Sequence, residues 1–437
     1  MNKFIQTVKN IFAIEDLRTR ILNTLFFIAI YRLGAYVVLP GVDPNRLGDK
    51  AGGLFGILDT LLGGAFSNAS IFALGIMPYI SASIVLQLLT IAVPYFQKLQ
   101  KEGESGRKKI NQYTRLLTIP IVMAQSVGFI ATINQDALVN PGVFFTVSTM
   151  VILTAGTLFC MWLGEKITDK GIGNGISMII MIGIVSRFPG AIIGEAAAKG
   201  MRGSLIFLIE LAVLFFVVMG VIILTQAVRQ IPVQYAKQVG GVSQLNAQRQ
   251  FIPLKVNAAG VMPIIFAQSL MFVPAIAASA WKDSDTANFI GQKFSDYTSW
   301  QYNLVFAVLI ILFTYFYTAI SVNPKQIADD LKRSGGFVPG VKPGDATSEY
   351  IDEVLTHITL PGAVALALIA IFPAIALLFG VTRPFSAFYG GTSLIIMVGV
   401  VLDTMNQIES YLLMRHYDGM MKTGKLKGRT QNIALAS

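Results

Sequence analysis

Long apolar stretches alternate with short polar segments along the whole chain. A straight helix needs about 20 residues to cross the hydrocarbon core of a bilayer, and ten stretches approach or reach that length. The ten predicted spans are residues 21–38, 71–93, 115–136, 137–164, 172–186, 205–228, 256–280, 302–322, 358–382 and 392–413. The pattern therefore predicts an all-α polytopic membrane protein with ten transmembrane helices.

A charge-free run between Asp59 and Lys98 departs from this pattern. It is nearly twice as long as the roughly 20 residues of one span and contains no polar hairpin that would make two. Gly63 and Gly64 weaken a helix within it, so we expect a short re-entrant segment at about 53–65 before the second span. Non-spanning backbone at membrane depth must be buried in protein or line a watery cavity. The run therefore predicts a funnel with a segment seated in it.

Composition excludes a soluble globular protein. Hydrophobic residues make up 54% of the 437 positions and charged residues 13%, whereas soluble domains carry about 25% charged residues. The single cysteine, Cys160, lies inside an apolar run, so we expect no disulfide framework and interpret it as a small core residue. No cleavable signal peptide is expected at the N-terminus, because no small-residue cleavage site follows the first apolar stretch.

Positive charge is placed unevenly along the chain. About three quarters of the 34 lysines and arginines lie in the N-terminal segment, the loops after even-numbered spans and the C-terminal tail, and such an excess marks the cytoplasmic side. We therefore expect both termini in the cytoplasm. The first 20 residues place apolar side chains at helical spacing among basic ones, which predicts an amphipathic helix on the membrane surface.

The ten spans divide as five plus five. The predicted domains are the surface segment 1–20, a first half 21–190, a second half 191–415 and a cytoplasmic tail 416–437. Two cytoplasmic loops of the second half, 229–255 and 323–356, are long enough to stand off the membrane and dock a partner. The first has β-leaning ends around Gly240 and Gly241, which predicts a hairpin. Their lysines and arginines suit a phosphate-rich partner such as ribosomal RNA.

No motif in the chain indicates catalysis. The glycine-rich sequence GIGNGIS at Gly171 follows no strand and lacks the Gly-Lys-Ser/Thr of a phosphate loop, so we interpret its glycines as helix ends. The histidines His357 and His416 have no cysteine or clustered carboxylate near them in sequence, so neither metal binding nor acid–base catalysis is supported. We expect no cofactor, no metal and no enzymatic activity.

Ionisable groups inside the spans are few: Glu210, Asp403 and Glu409. Such groups mark ion-coupled transport, and Asp403 is the best candidate for a relay, although a carboxylate that bonds a neighbouring helix is the favoured interpretation. Uncharged polar residues are more frequent, namely Ser81, Ser83, Gln87, Gln125, Gln226, Gln268 and Ser269. They either fasten helices together or line a weakly closed seam, and the residues alone favour the first.

Several motifs together resemble the SecY family, the central subunit of the bacterial protein-conducting channel. They are IFALGIMPYISAS followed by KEGESGRKKINQYTR, GIGNGIS, RQIPVQYAK at Arg229, PLKVNAAGVMP at Pro253, FVPGVKPGDAT at Phe337 and GGTSL at Gly390. The resemblance extends from one end of the chain to the other. It implies two five-helix halves around a central hourglass pore.

The resemblance also implies a constriction, a plug and a lateral gate. By motif, the pore ring is Ile76, Ile80, Ile176, Ile180, Ile265 and Ile396. The plug is about 53–68, with Leu54, Phe55, Ile57, Leu58, Leu61 and Leu62 as its apolar residues. The gate lies between the second and seventh spans, with Ser83, Gln87, Gln125 and Gln268 at or beside it. Spacing alone favours ordinary core isoleucines over a ring.

Expected partners also follow from the resemblance. They are the small membrane subunits SecE and SecG, the SecA ATPase, the ribosome, signal sequences, unfolded polypeptides and the lipid bilayer. The docking residues are Arg229, Lys237, Arg249, Lys255 and Lys342. Lys342 stands where the family usually has arginine, and the hairpin tip is poor in arginine. Lysine keeps the charge but loses the bidentate fork.

The resulting expectation is a passive channel in the bacterial cytoplasmic (inner) membrane. It would pass unfolded secretory polypeptides and release membrane segments sideways, with energy supplied by partners. An ion-coupled secondary transporter is the main alternative, and an insertase without a through-pore is a third.

Overall fold

A computed structural model describes residues 14–43, 46, 59, 62–133, 137–139, 142–200, 203–235, 250–268, 270–271 and 298–422. The helices are α1 (Glu15–Gly34), α2 (Met77–Ala92), α3 (Pro94–Lys101), α4 (Glu104–Thr132), α5 (Val143–Lys170), α6 (Gly175–Lys199), α7 (Ser204–Gln226), α8 (Trp300–Ser321), α9 (Pro324–Arg333), α10 (Asp345–Leu378), α11 (Arg383–Ser386) and α12 (Gly391–Lys422). The strands are β1 (Val228–Tyr235), β2 (Gln250–Lys255) and β3 (Gly336–Phe337). Residues 262–268 form a further helical segment.

Seven helices in the described part of the chain are long and apolar enough to cross a membrane. An eighth span results if α2 and α3, which are bent by 101° at their junction, count as one. The first predicted span corresponds to α1, which is not among the seven because charged residues occupy both of its ends. Of the seventh predicted span, residues 262–268 are helical, and residues 269 and 272–280 lie outside the described residues. The fold is therefore the predicted polytopic helical membrane protein, and its spans are compatible with the predicted ten.

The second span begins later than predicted. Residues 71–76 form turns, and the helix starts at Met77. Gly75 has a φ of 50°, and Ser70 pairs with Val38 in an isolated β-bridge, so the backbone before Met77 follows a path that no helix allows. The predicted start at residue 71 is wrong because apolar composition does not reveal this pairing.

The fifth span is longer than predicted. We placed its end at residue 186, before Arg187, but α6 continues through that arginine to Lys199. The predicted boundary between the two halves, at residue 190, consequently falls inside a helix. The arginine stays within the helix because it has a carboxylate partner, described below.

The glycine-rich motif GIGNGIS joins α5 to α6. The Asn174 side chain caps α6, where its Oδ1 accepts hydrogen bonds from the backbone N–H groups of Ile176 (3.1 Å) and Ser177 (3.3 Å). A Cβ atom added to Gly175 would lie 1.9 Å from the backbone oxygen of Gly164, so only glycine permits this approach of the two helices. The prediction that these glycines belong to helix ends is confirmed.

The two long loops of the second half share a small core. Strand β1 pairs antiparallel with both β2 and β3, which confirms the predicted hairpin. Apolar residues of the sheet, of α9, of the loop after β3 and of the start of α10 form this core: Ile231, Val233, Leu254, Leu331, Val338, Ile351 and Leu355. Helix α10 is 34 residues long, whereas about 20 cross a membrane. The loop core and the ninth span therefore share one continuous helix.

Each predicted half has a buried apolar cluster of its own. The first gathers residues 39, 42, 69, 73 and 74 with residues of α4 and α5. The second gathers residues 264, 267 and 271 with residues of α8, α10 and α12. Two further clusters lie between these cores and contain the candidate pore residues.

Candidate pore, plug and gate

Five of the six predicted ring isoleucines meet in one apolar cluster. Ile76 at the start of α2 and Ile80 one turn later are 2% and 7% exposed, and Ile176, Ile180 and Ile265 pack against the same cluster, half-buried. Each pair spaced four residues apart lies on one face of its helix. Three segments that are distant in sequence thus bring their isoleucines together.

The sixth isoleucine joins them through a neighbouring cluster. Ile396 of α12 is 3% exposed and belongs to a cluster against which Ile180 and Ile265 also pack. These two half-buried residues therefore connect both clusters. A narrow constriction of branched apolar side chains can exclude water and ions by dewetting. The ring assignment stays a prediction, because a packed core would bring isoleucines together as well.

Only part of the predicted plug is described. Leu62 is buried and packs with Ala35 and Ala65, whereas Leu54, Phe55, Ile57, Leu58 and Leu61 lie outside the described residues. Residues 62–69 form turns rather than helix. Phe66 contacts the ring of Phe129 edge-on at 5.0 Å between centroids, which ties this segment to α4.

The predicted gate residues have different surroundings. On α2, Gln87 Nε2 donates to Ser83 Oγ over 3.4 Å, and both side chains are half-buried. Gln125 of α4 is half-buried too. Gln268, however, is 4% exposed and lines a small pocket together with Tyr302 and other residues of α8, α10 and α12. Its described surroundings therefore belong to the second half.

The described docking residues are exposed, but they do not share one face of the sheet. Arg229 lies opposite Leu254 in the β1–β2 pairing, and Lys255 lies opposite Val228. Because successive side chains of a strand point to opposite faces, Arg229 and Lys255 point away from each other. Lys342 is exposed in the loop that precedes α10. Lys237 and Arg249 lie outside the described residues.

Sequence reasoning missed a buried cluster of charges at the end of α6. Lys199 Nζ lies 2.9 Å from Glu210 Oε1 and 3.5 Å from Glu195 Oε1, and the two glutamate side chains are 8% and 0% exposed. Glu195 Oε2 also accepts hydrogen bonds from the backbone N–H (2.9 Å) and the hydroxyl of Thr382. The cluster joins α6 to α7 and to the loop after α10. The cluster was missed because the predicted fifth span ended at residue 186, before Glu195 and Lys199.

A second missed pair links the plug segment to α6. Arg187 Nη2 donates to Asp59 Oδ2. In the sequence Asp59 is the last charge before the apolar run and Arg187 interrupts another. The sequence therefore contained one indication of this pair, namely two opposite charges beside apolar runs, but it does not show that the two residues are in contact.

Other candidate groups have ordinary surroundings. Asp403 and Glu409 are exposed, and Cys160 is fully buried, as a core residue would be. No group of three or more metal-ligating side chains occurs among the described residues. The Nδ1 atom of His357 lies 2.8 Å from the backbone oxygen of Glu353, within its own helix.

Solved structures of channels have the same architecture. The structure of a protein conducting channel superposes with a TM-score of 0.61 at 15% identity, over 90% of this chain and 92% of that one. Sec61 in the canine ribosome–channel complex from the endoplasmic reticulum gives a TM-score of 0.58 at 15% identity, over 90% and 92%. The fold is thus that of protein-conducting channels.

Sequence relatives then define the family. The SecY family model matches residues 70–405. Protein translocase subunit SecY of Streptomyces scabiei is 42% identical over 431 residues, covering 94% of this chain and 98% of that protein. The same subunit of Halalkalibacterium halodurans is 43% identical over 431 residues (95% and 100%), and that of Mycobacterium tuberculosis 38% over 451 (97% and 100%). The chain belongs to the SecY family.

Proposed function

We propose that this chain forms the protein-conducting channel of a bacterial cytoplasmic membrane. Unfolded secretory polypeptides pass through it, and membrane segments leave it sideways into the lipid bilayer. The observation that carries the proposal is the meeting of six isoleucines from four separate segments in two connected apolar clusters. A collar of branched apolar side chains touches any passing sequence without binding one, and it excludes ions when closed.

Family membership favours this proposal over the ion-coupled transporter. A coupled transporter needs ionisable groups inside its transport path. Of the three candidates in the sequence, Asp403 and Glu409 are exposed, and Glu210 is paired with Lys199. The passage is therefore passive, and partners supply the energy.

Reconstitution tests the function directly. The purified chain is placed in vesicles with its small membrane subunits SecE and SecG, and the SecA ATPase, ATP and a secretory precursor are added. We expect the precursor to become protected from external protease. Vesicles without this chain, or without ATP, are the controls. Protection that does not depend on the chain would refute the channel proposal.

The two long loops of the second half, which contain β1–β3, α9 and Lys342, are the proposed docking surface for SecA and the ribosome. Replacing Lys342 with glutamate should lower SecA-driven translocation several-fold while leaving abundance unchanged, because a charge reversal on an exposed loop costs little stability but repels an acidic partner. Lys108→Glu, an equal change at a residue of α4 that is 75% exposed and lies outside both docking loops, is the matched control. Equal loss in both variants would assign the effect to net charge and remove Lys342 from the docking surface.

The charge distribution also sets the proposed orientation, with both termini in the cytoplasm. A cysteine replacing Lys332, on the predicted cytoplasmic side, should resist a membrane-impermeant thiol reagent in intact cells. A cysteine replacing Arg383, at the start of α11, should react. Both native side chains are exposed, so burial would not account for a difference. The reverse labelling would invert the topology.

A further inference from the structure

The carboxylate of Asp59 is buried although it belongs to the plug segment, and the pore and gate proposals do not use it. Its side chain is 9% exposed. It accepts hydrogen bonds from the backbone N–H of Ser67 over 2.8 Å and from the Ser67 hydroxyl over 3.1 Å. Arg187 Nη2 donates to the same carboxylate and, over 2.9 Å, to Ser67 Oγ. Asp59, Ser67 and Arg187 therefore form a closed network between the plug segment and α6.

A second arginine holds the same turn from the other side. Arg32 Nη1 of α1 donates to the backbone oxygen of Gly63 over 3.2 Å. Gly63 and Gly64 have φ values of 64° and 93°. A Cβ atom added to Gly63 would lie 2.8 Å from the Cα of Gly183, and one added to Gly64 would lie 2.7 Å from Arg187 Nη2. The backbone of the turn thus rests directly on α6.

We propose that Arg187 and Arg32 are positioning residues that hold the plug segment in the idle channel, with the Asp59–Arg187 pair as the main contact. The inference rests on the proposed function, to which it adds the residues that set how readily the plug leaves. Both arginines lie on helices of the first five spans. The plug therefore stays with the first half when the halves separate, and its release requires the ion pair to break.

The two partners of the ion pair differ in exposure, so the proposal predicts different effects for the two single variants. Arg187 is 41% exposed, whereas Asp59 is nearly buried. Removing the arginine leaves an uncompensated buried carboxylate, which favours movement of the segment toward water. Removing the carboxylate charge by Asp59→Asn leaves an amide that still accepts from Ser67, beside an arginine that water reaches. Arg187→Gln should therefore release the plug more than Asp59→Asn does.

Thiol labelling measures plug position without relying on transport. A cysteine replaces buried Leu62, and membranes are treated with a maleimide reagent. Native Cys160, fully buried, reports on unfolding in the same molecule, and mass spectrometry of the two peptides separates the sites. We expect Arg187→Gln to raise labelling at position 62 about tenfold and Asp59→Asn about threefold, since hydrogen bonds to charged groups contribute more than neutral ones. Cys160 should stay unlabelled.

Two further variants make the test decisive. Arg187→Lys, which keeps the positive charge, should leave labelling closer to the parent value than Arg187→Gln does. Glu165→Gln, which breaks the Arg115–Glu165 pair (2.7 Å) between α4 and α5, should leave position 62 unchanged. Unchanged labelling in Arg187→Gln, or equal labelling in Arg187→Lys and Arg187→Gln, overturns the proposal. If Arg187→Gln also exposes Cys160, the milder Asp59→Asn decides by the same criterion.

The experiments distinguish failure of this proposal, in which the two arginines hold the plug segment, from failure of the proposed channel function. If the parent chain translocates precursors but labelling at position 62 does not change in the Asp59 and Arg187 variants, the plug-positioning proposal is refuted and the channel function stands. If labelling follows the ion pair but the parent does not translocate, the arginines position this segment in a protein of another function. A released plug in a working channel should also raise its idle ion conductance, measured in planar bilayers.

Discussion

Replacing Ile180 with asparagine should leave the protein abundant in the membrane and make the idle channel leak ions several-fold above the parent. Ile180 is half-buried and packs against both apolar clusters, as a side chain at a shared constriction would. A polar amide at that position keeps the constriction wet, and wet constrictions conduct. Planar-bilayer conductance measured beside membrane abundance tests this. Precursors with defective signal sequences should also pass more readily.

The adjacent residue provides a matched control. Ile179 on the same helix is 1% exposed and lies in the packed cluster. Ile179→Asn should lower abundance strongly, because losing a buried isoleucine costs about 2–5 kcal/mol and burying an amide adds to it. If Ile180→Asn also lowers abundance and adds no conductance, the isoleucines are core residues. The ring assignment would then be wrong.

The sequence predicted the membrane fold well because spans are long and apolar. A run of about 20 apolar residues has few alternatives in a chain this poor in charge. The hairpin was predictable for a similar reason, since IPVQY and QFIPL have residues that suit strands on both sides of glycines. The register that points Arg229 and Lys255 to opposite faces was not, because it depends on how the strands pair.

Charges inside helices account for most of the errors. The fifth predicted span ended at residue 186, before Arg187, as it would if that arginine had no partner at membrane depth. The partner, Asp59, comes from a segment 128 residues away in sequence, and no local pattern announces such a pair. The same reasoning concealed Glu195. The start of α2 was mispredicted for a different reason, since the β-bridge between Val38 and Ser70 is a tertiary contact.

The residues of the candidate site could be predicted from the sequence, but their surroundings could not. Motifs predicted the six isoleucines, and the fold brings them into two connected clusters, but their number and spacing alone would have suited a core. Gln268 stays a predicted gate residue. The resemblance puts it at or beside the seam between the second and seventh spans, and its described surroundings are a pocket lined by residues of α8, α10 and α12. Polar side chains at membrane depth take whichever partner the packing offers.

The buried charges at the end of α6 lead to the largest expected effect on stability. Lys199→Met should destabilise the protein by about 3 kcal/mol, because it leaves two buried carboxylates without their shared cation. Glu195 is fully buried, and Glu210 Oε2 makes no hydrogen bond among the described residues. Lys199 also donates to the backbone oxygen of Gly380 over 2.8 Å, so the variant loosens the contact between α6 and the loop after α10.

Thermal unfolding in detergent, followed by the reaction of a thiol-sensitive dye with Cys160, measures this effect, since the single cysteine becomes reactive only on unfolding. The surface pair Lys108–Glu104, with side chains 75% and 87% exposed, supplies the control. Lys108→Met should change stability by less than about 0.5 kcal/mol, because exposed pairs contribute little.

The triple variant Glu195→Gln, Lys199→Met, Glu210→Gln separates charge from shape. It removes all three charges and keeps similar volumes, and replacing a whole buried charge cluster is often close to neutral. We therefore expect its unfolding midpoint to lie near that of the parent and well above that of Lys199→Met. If the triple variant is as unstable as the single one, the helices depend on the hydrogen bonds of Glu195 to Thr382 rather than on charge balance. If Lys199→Met itself is as stable as the parent, the lysine does not stabilise this cluster and the prediction is wrong.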